Sequence, residues 1–200
     1  MFIKSPMLIV FEGIDGSGKT TLSKMLFSYL KKKKYNTVWF REPSDSKWGK
    51  KIRDLAQSKD SIPLEQELNY FIEDRKINVK INIKPALKNN KIVILDRYYF
   101  STACYQGARG MNIENIIKIN KEFASEPDII FVIDVDVKTA LSRIKKNRRS
   151  KAKLFEKKKF LEKVRKNYLN LNNKNIQLID GNNDLNTVFK DIKNSIIIKP

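Results

Sequence analysis

The eight residues 13–20 constrain the fold of this chain more than any other segment. They read Gly-Ile-Asp-Gly-Ser-Gly-Lys-Thr and match the phosphate-binding loop pattern G-x-x-x-x-G-K-[ST] at every fixed position. An apolar segment, residues 7–11, precedes them, and apolar residues at helical spacing follow them. The motif requires a strand before it and a helix after it, so the sequence predicts a polyphosphate-binding site here.

The residue types of this loop explain the predicted chemistry. Glycines let successive backbone N–H groups curl around phosphate oxygens, and the helix that follows adds its positive end. Lys19 is expected to reach the β- and γ-phosphates, and the Thr20 hydroxyl is expected to ligate Mg²⁺. The predicted nucleotide-binding residues of the loop are Gly13, Ile14, Asp15, Gly16, Ser17, Gly18, Lys19, Thr20 and Thr21.

Strand-like and helical patterns alternate along the whole chain. Further apolar segments occur at 35–41, 91–95, 129–133 and 175–179. This alternation predicts an α/β fold, with a doubly wound five-stranded parallel sheet and helices on both faces. No linker interrupts it, so residues 1–200 are predicted to form one P-loop domain, with a short basic lid at about 147–157. Pro85 is expected to kink or end a long helix that begins near Pro63.

Composition limits the partners and the chemistry. The formal charge of +19 fits nucleic-acid binding, but the lysines are spread over the whole chain, which favours a basic surface around an anionic nucleotide. The absence of histidine excludes His-based acid–base catalysis and His-ligated metal. Cys104 is the only cysteine, and no apolar run is long enough to cross a membrane, so a cytoplasmic protein is expected.

Polar residues follow several predicted strands. Residues 41–42, 96–97 and 134–136 stand at such positions, and the carboxyl ends of parallel strands meet at one edge of a sheet. Asp96 is predicted to help hold Mg²⁺, with capping of the next helix as the alternative. Arg97 is predicted to neutralise a transferring phosphoryl group, with a surface ion pair as the alternative.

Two further segments allow more than one interpretation. The basic residues 143–153 fit a lid over ATP, but also a solvated run of charge. Phe71 and Arg75 stand four apart in a predicted helix and can face one cavity, where they would suit a nucleobase. Spacing alone favours a core Phe71 beside a surface Arg75.

In their order and spacing, these segments resemble the thymidylate kinase family, which phosphorylates dTMP with ATP. The resemblance covers nearly the whole chain and is carried by residues 11–21, 41–43, 71–75, 96–107, 134–136 and 140–144. It implies that Phe71 stacks on thymine and that Arg75 hydrogen-bonds the thymine edge. It also implies that Tyr105 lies against the deoxyribose, where a 2′-hydroxyl would be crowded. The other implied substrate-binding residues are Asp15, Arg41, Glu42, Arg97, Thr102 and Gln106.

The resemblance also implies a MgATP site and a homodimer. The implied catalytic residues are Lys19, Arg97, Asp15 and Asp96, and the implied metal ligands are Thr20, Asp96 and Asp15. Arg143 would lie along the adenine, opposite residues 180–181, and Arg148 and Arg149 would contact ATP. No nucleic-acid or membrane partner is implied.

Three departures from the family pattern bear on catalysis. Residues 44–45 are Ser-Asp where the family often has Gly-Gly, in the loop implied for the acceptor phosphate. Gly16 stands where one branch of the family carries an arginine, so the catalytic charge is expected to come from the lid. Lys153 and Leu154 stand where the lid usually has an arginine before an aromatic-Glu pair. The candidates to replace that arginine are Arg148, Arg149 and Lys151.

Two other functions fit the same motifs. One is a P-loop kinase for a different nucleotide or nucleoside, which the pocket around Phe71, Arg75 and Tyr105 would distinguish. The other is a nucleic-acid-binding P-loop protein, which would bind DNA or RNA with a steep salt dependence. The chain shows no appended basic domain, which weighs against the second.

Overall fold

One parallel five-stranded sheet organises the molecule. The computed structural model describes residues 5–58, 61–144 and 151–196. Its strands are β1 Met7–Glu12, β2 Thr37–Arg41, β3 Ile92–Asp96, β4 Ile129–Asp134 and β5 Ile176–Asp180. The strand order is β2-β3-β1-β4-β5, and every neighbouring pair is parallel. The fold class predicted from the alternating pattern is therefore confirmed.

Helices connect the strands and cover both faces of the sheet. They are α1 Lys19–Lys32, α2 Lys47–Gln57, α3 Leu64–Asn78, α4 Lys84–Lys88, α5 Tyr99–Gly107, α6 Ile113–Lys121, α7 Val137–Ile144, α8 Lys151–Leu169 and α9 Leu185–Ser195. None of these helices in the described ranges is both long and apolar enough to span a membrane. Of the predicted lid, residues 147–150 lie outside the described residues, and residues 151–157 form the start of α8.

Alternate side chains of the central strands enter two separate cores. All six residues of β1 are buried, as expected for a strand covered on both faces. Leu8 and Val10 pack with α5 and α8 on one face, whereas Ile9 and Phe11 pack with α1 and α9 on the other. The apolar burial on both sides holds β1 and β3 in register, which places Phe11 opposite Asp96 and brings the phosphate loop beside the end of β3.

The long helix that follows Pro63 passes Pro85 through a widened turn. Val79–Ile83 is a π-helical turn between α3 and α4, and the Lys84 N–H donates to the carbonyl of Val79, five residues back. Proline has no N–H and its ring clashes with the carbonyl four residues earlier in a regular α-helix. The wider turn relieves this conflict, so the helix is irregular near Pro85 and ends only after Lys88.

Candidate active site

The phosphate loop lies between β1 and α1, and two of its glycines are required by close packing. Gly13 has φ 140°, and a Cβ there would lie 2.7 Å from the carbonyl oxygen of Ile133 in β4. Gly16 has φ 84°, and a Cβ there would overlap the backbone carbonyl of Ala140 in α7. Both the left-handed backbone and the lack of space demand glycine at position 16.

Lys19 is buried at the start of α1, inside this loop. Its ammonium donates to the carbonyl of Ile14 at 3.1 Å and lies 3.9 Å from a carboxylate oxygen of Asp15. Burial, together with the nearby charge of Arg97, lowers the pKa of Lys19 to about 7. A polyphosphate in the loop would favour the charged ammonium, so this lysine is suited to binding a polyanion.

Nucleotide binding is therefore expected to take up a proton at Lys19. At pH 8 the empty site would hold mostly the neutral amine, and phosphate charge would raise its pKa, so uptake should approach one proton per ATP. At pH 6 the uptake at Lys19 should be close to zero, because the empty site already holds the ammonium, and the proton on the terminal phosphate of ATP would instead be released. Calorimetric titrations at each pH, in two buffers of different ionisation enthalpy, give the proton count. A binding enthalpy at pH 8 that does not depend on the buffer would contradict the expectation.

Arg97→Met supplies a matched test of the same linkage. The charge of Arg97 helps to lower the pKa of Lys19, so its removal should raise that pKa and reduce the proton uptake at pH 8. ATP is fully ionised at pH 8, because the terminal phosphate titrates near pH 6, so the ligand does not add to the count.

Asp96 and Thr20 form a pair that fits a hydrated Mg²⁺. Asp96 is fully buried, and its Oδ2 accepts from the Thr20 hydroxyl at 2.6 Å. Among the described residues no group donates to Asp96 Oδ1, and a buried carboxylate oxygen without a donor fits a metal or its water. No group of three or more Cys, Asp or Glu side chains that could hold a metal ion occurs in the described part of the chain.

Arg97 stands between the phosphate loop and a neighbouring cavity. Its backbone has φ 71°, and its guanidinium Nη2 pairs with Asp15 while Nη1 donates to the Ser101 hydroxyl at 3.1 Å. The guanidinium lies 5.4 Å from the ring centre of Tyr105, whose hydroxyl accepts from the Asp15 N–H at 2.9 Å. The Arg97 side chain is only 17% exposed and thus lies inside a cleft, whereas its partner Asp15, at the rim, is 46% exposed.

Asp15 carries its charge within this cleft. Burial, the largest single effect, would raise the pKa of Asp15, but the positive charge of Arg97 and smaller contributions in the same direction together outweigh it, so the pKa lies below its usual value. The ammonium groups of Lys19 and Lys157 act in the same direction. Asp15 is therefore an anion beside the basic groups of Arg97, Lys19 and Lys157, at the mouth of the cavity.

A cavity of about 390 Å³ opens beside Arg97 and gathers most of the predicted substrate residues. Those that line it are Asp15, Glu42, Phe71, Arg75, Arg97, Thr102, Tyr105 and Gln106. Arg41 does not line it: its side chain is 55% exposed, and its Nε lies 3.7 Å from Asp96. Arg41 therefore stands beside Asp96, outside this cavity.

Arg75 is a buried residue of this cavity wall. It is 1% exposed, and it donates to Glu42 Oε2 at 2.8 Å, to Asn120 Oδ1 at 2.7 Å and to Thr102 Oγ1 at 3.0 Å. Burial raises the pKa of Glu42 to about 7, against the opposing charge of Arg75. The interpretation of Arg75 as a surface residue, which spacing favoured, is wrong. Two of its five N–H donors are not used in these three contacts.

The loop after β2 is tied to α3 by a second buried carboxylate, Asp74. Ser44 donates to it from its backbone N–H at 2.8 Å and from its hydroxyl at 2.5 Å. The Ser46 hydroxyl donates to it at 2.6 Å and also caps α2. Arg53 donates to the Ser44 carbonyl at 2.7 Å from the other side. Ser44, a departure from the family pattern, thus attaches the loop to the helix that carries Phe71 and Arg75.

Ser44→Ala is expected to lower the free energy of unfolding by about 1.5–3 kcal/mol. The change removes a hydrogen bond to a buried charged group, and also the one that the hydroxyl accepts from the Ser46 N–H at 3.2 Å. The Asp74 carboxylate would keep two of its three donors. Urea denaturation measures the change, with Ser28→Ala on the exposed face of α1 as the matched control. An equal, small effect for both variants would show that the Ser44 hydroxyl does not stabilise the loop.

A second cavity, of about 400 Å³, lies on the far side of the phosphate loop. Arg143 of α7 and Gly181 line it together with Gly16 to Gly18 of the loop, as the predicted adenine contact requires. Asp180 does not line it, because its carboxylate accepts from the backbone and side chain of Asn182. Arg148 and Arg149, predicted to contact ATP, lie outside the described residues.

Several residues of the site were not predicted. Arg53 and Phe160 line the cavity beside Arg97, and the charge of Lys157 acts on Asp15. Glu12, the residue immediately before the loop, is also among them and is fully buried. A carboxylate ending an apolar strand was the one available signal for Glu12. No local pattern marked the others, because they reach the site from α2 and α8.

The doubly wound sheet thus presents two ligand sites at one edge, a cradle for a polyphosphate and a separate cavity for a second ligand. Arg97 stands where the two sites meet. This arrangement is that of a P-loop nucleotide kinase.

Comparison with known proteins identifies the family. A family model described as thymidylate kinase matches residues 11–192. The chain is 40% identical over 190 residues to a probable thymidylate kinase of Archaeoglobus fulgidus, covering 95% of this chain and 94% of that protein. It is 39% identical to a thymidylate kinase of Brachyspira hyodysenteriae, covering 94% and 92%. A crystal structure of thymidylate kinase from Ehrlichia chaffeensis superposes with a TM-score of 0.75 at 32% identity, covering 94% and 97%. The chain belongs to the thymidylate kinase family.

Proposed function

We propose that this protein transfers the γ-phosphoryl group of ATP to dTMP, giving ADP and dTDP. The observation that supports this most directly is the cavity that joins Phe71, Arg75 and Tyr105 to Arg97 and Asp15. An aromatic face, a buried arginine and a cationic end suit a nucleobase at one end and its phosphate at the other. ATP would lie with its phosphates in the loop and its adenine beside Arg143.

Each wall of the acceptor cavity has a proposed role. Phe71 stacks on thymine, and Arg75 donates a remaining N–H to the thymine edge. Thr102 and Gln106 face the base or sugar, and Tyr105 lies against the deoxyribose. Arg75 is well suited to this task because three protein contacts already fix its plane, so little side-chain entropy is lost on binding.

For the transfer, the protein has to position the two nucleotides and neutralise the charge on the phosphoryl group. A dTMP phosphate oxygen attacks the γ-phosphorus in line, and no strong base is needed because that oxygen is already anionic. Lys19 and Arg97 place positive charge on the phosphoryl oxygens, and Arg41 supports the acceptor side. Thr20, Asp96 and Asp15 would hold Mg²⁺, which neutralises phosphate charge when it is bound. The lid, residues 147–157, supplies further positive charge to the phosphoryl group.

The family also supports two broader proposals. We propose that the protein is a homodimer and acts in the cytoplasm, without a nucleic-acid or membrane partner. Light scattering coupled to size exclusion measures the mass directly, and a 23.4 kDa species would contradict the dimer.

A coupled assay of ADP release tests the reaction. With MgATP and each nucleoside monophosphate in turn, dTMP is expected to give at least about 100-fold higher kcat/KM than dCMP, dGMP or UMP. The bases of dCMP and dGMP present a different hydrogen-bonding edge to the fixed polar groups of the pocket, and UMP carries a 2′-hydroxyl that Tyr105 would crowd. Turnover with dTMP no higher than with these would reject the substrate and favour a kinase for another nucleotide. Phe71→Ala should raise the KM for dTMP far more than the KM for ATP.

A further inference from the structure

Glu12, the last residue of β1, is a fully buried carboxylate that the proposed reaction does not use directly. Its exposure is 0%, and it stands immediately before the phosphate loop. Its Oε1 accepts from the N–H groups of Tyr98 at 2.8 Å and Ser101 at 3.2 Å, at the start of α5. Its Oε2 accepts from the hydroxyls of Ser101 at 2.5 Å and Tyr168 at 3.0 Å. Such a set of donors suits a carboxylate anion.

The first branch of this network leads to Arg97. The Ser101 hydroxyl donates its proton to Glu12, so its lone pairs face outward, and one of them accepts from Arg97 Nη1 at 3.1 Å. Asp15 holds the other end of the same guanidinium. Arg97 is therefore fixed at two points, and Glu12 determines which way the hydroxyl at one of them points.

The second branch leads to α8. Tyr168 lies on this helix, and its hydroxyl is 2.9 Å from the Ser101 hydroxyl as well as within reach of Glu12. Arg165 adds a two-point ion pair to Asp134 at the end of β4, at 2.6 and 2.8 Å. The same helix carries Phe160 into the wall of the acceptor cavity and Lys157 toward Asp15.

We propose that Glu12 is a positioning residue, which orients Arg97 through Ser101 and holds α8 against the same point through Tyr168. The inference rests on the proposed function, because it gives Arg97 its task at the transferred phosphoryl group. Arg97 and α8, which both border the acceptor cavity, are then held in place by the same buried carboxylate.

Burial explains why such a support is effective. Desolvation raises the pKa of Glu12, while the hydrogen bonds from Ser101, Tyr98 and Tyr168 and the charge of Arg97 all oppose that rise. In a site from which water is excluded, a charged acceptor holds its donors strongly, and the loss of any donor leaves the others to rearrange.

A kinetic double-mutant cycle distinguishes positioning from a purely structural role. Ser101→Ala is expected to lower kcat about ten-fold and to change the KM for ATP less than about two-fold. Tyr168→Phe, which removes only the hydroxyl, is expected to lower kcat about three-fold. In an Arg97→Ala background both changes should lower kcat less than about two-fold, because the group through which they act is gone.

Tyr29→Phe and Ser28→Ala on α1 are the matched controls and should leave kcat unchanged. Equal losses of kcat in both backgrounds, or no loss in the wild-type background, would overturn the proposal. Glu12→Gln tests the carboxylate itself if that variant folds. If it does not fold, the Ser101 and Tyr168 variants still test the proposal. A wild-type protein without dTMP turnover would reject the proposed function itself, whereas an active wild type with additive variants would reject only the role of Glu12.

Discussion

Replacing Arg97 with alanine is expected to lower kcat by about 10²–10³, while the dissociation constant for ATP rises less than about three-fold. Removal of a single prepositioned donor from the charge that develops in a transition state has a cost of this size. Arg97 is held by Asp15 and Ser101 at the junction of the two ligand sites, away from the glycines that cradle the donor phosphates. Its contribution should therefore appear in turnover rather than in ATP binding.

Calorimetry gives the ATP dissociation constant, and a coupled assay gives kcat, so the two effects are separated without relying on KM. Arg97→Lys is the matched variant, because it keeps the charge and loses the planar fork; it should retain part of the activity. Arg41→Ala removes the same charge at a more exposed position and should mainly raise the KM for dTMP. Equal losses of turnover and ATP affinity in Arg97→Ala would contradict a bridging role.

Gly16→Ala is expected to raise the KM for ATP at least about ten-fold and to lower the melting temperature. The left-handed backbone alone costs roughly 1–2 kcal/mol for a residue with a Cβ. In addition, the new methyl group would overlap the carbonyl of Ala140, so the loop or α7 would have to move. Because the loop N–H groups bind phosphate only in their present curl, this displacement should weaken ATP binding directly.

Gly18→Ala separates the two causes. Gly18 also has a positive φ, 93°, but a Cβ there would meet only a Leu22 side-chain carbon at 3.9 Å. It should therefore show the backbone strain without the clash, and a smaller effect on both KM and melting temperature. Similar effects at the two positions would show that contact with α7 is unimportant. The same clash leaves no room for a loop arginine at position 16, so transition-state charge has to come from other residues.

Much of this molecule was predictable from local patterns. The phosphate loop, the five strands and the polar residues after β2 and β3 were located correctly, because each depends on residues that are close in the chain. Burial repeats every second residue in a strand and about every 3.6 residues in a helix, so neighbouring residues determine it. The requirement for glycine in a tight loop is likewise local. The family resemblance then named most of the cavity wall, including Phe71 and Tyr105.

What the patterns missed are contacts between distant segments. Spacing placed Arg75 on the surface, whereas Glu42, Asn120 and Thr102 bury it from three other elements. Glu12 meets Tyr168 across 156 residues of chain, and no periodicity records such a pairing. A buried charge is tolerated only where several elements bring donors to it at once. The identity of those donors depends on how the helices pack on the sheet, and only the folded molecule specifies that packing.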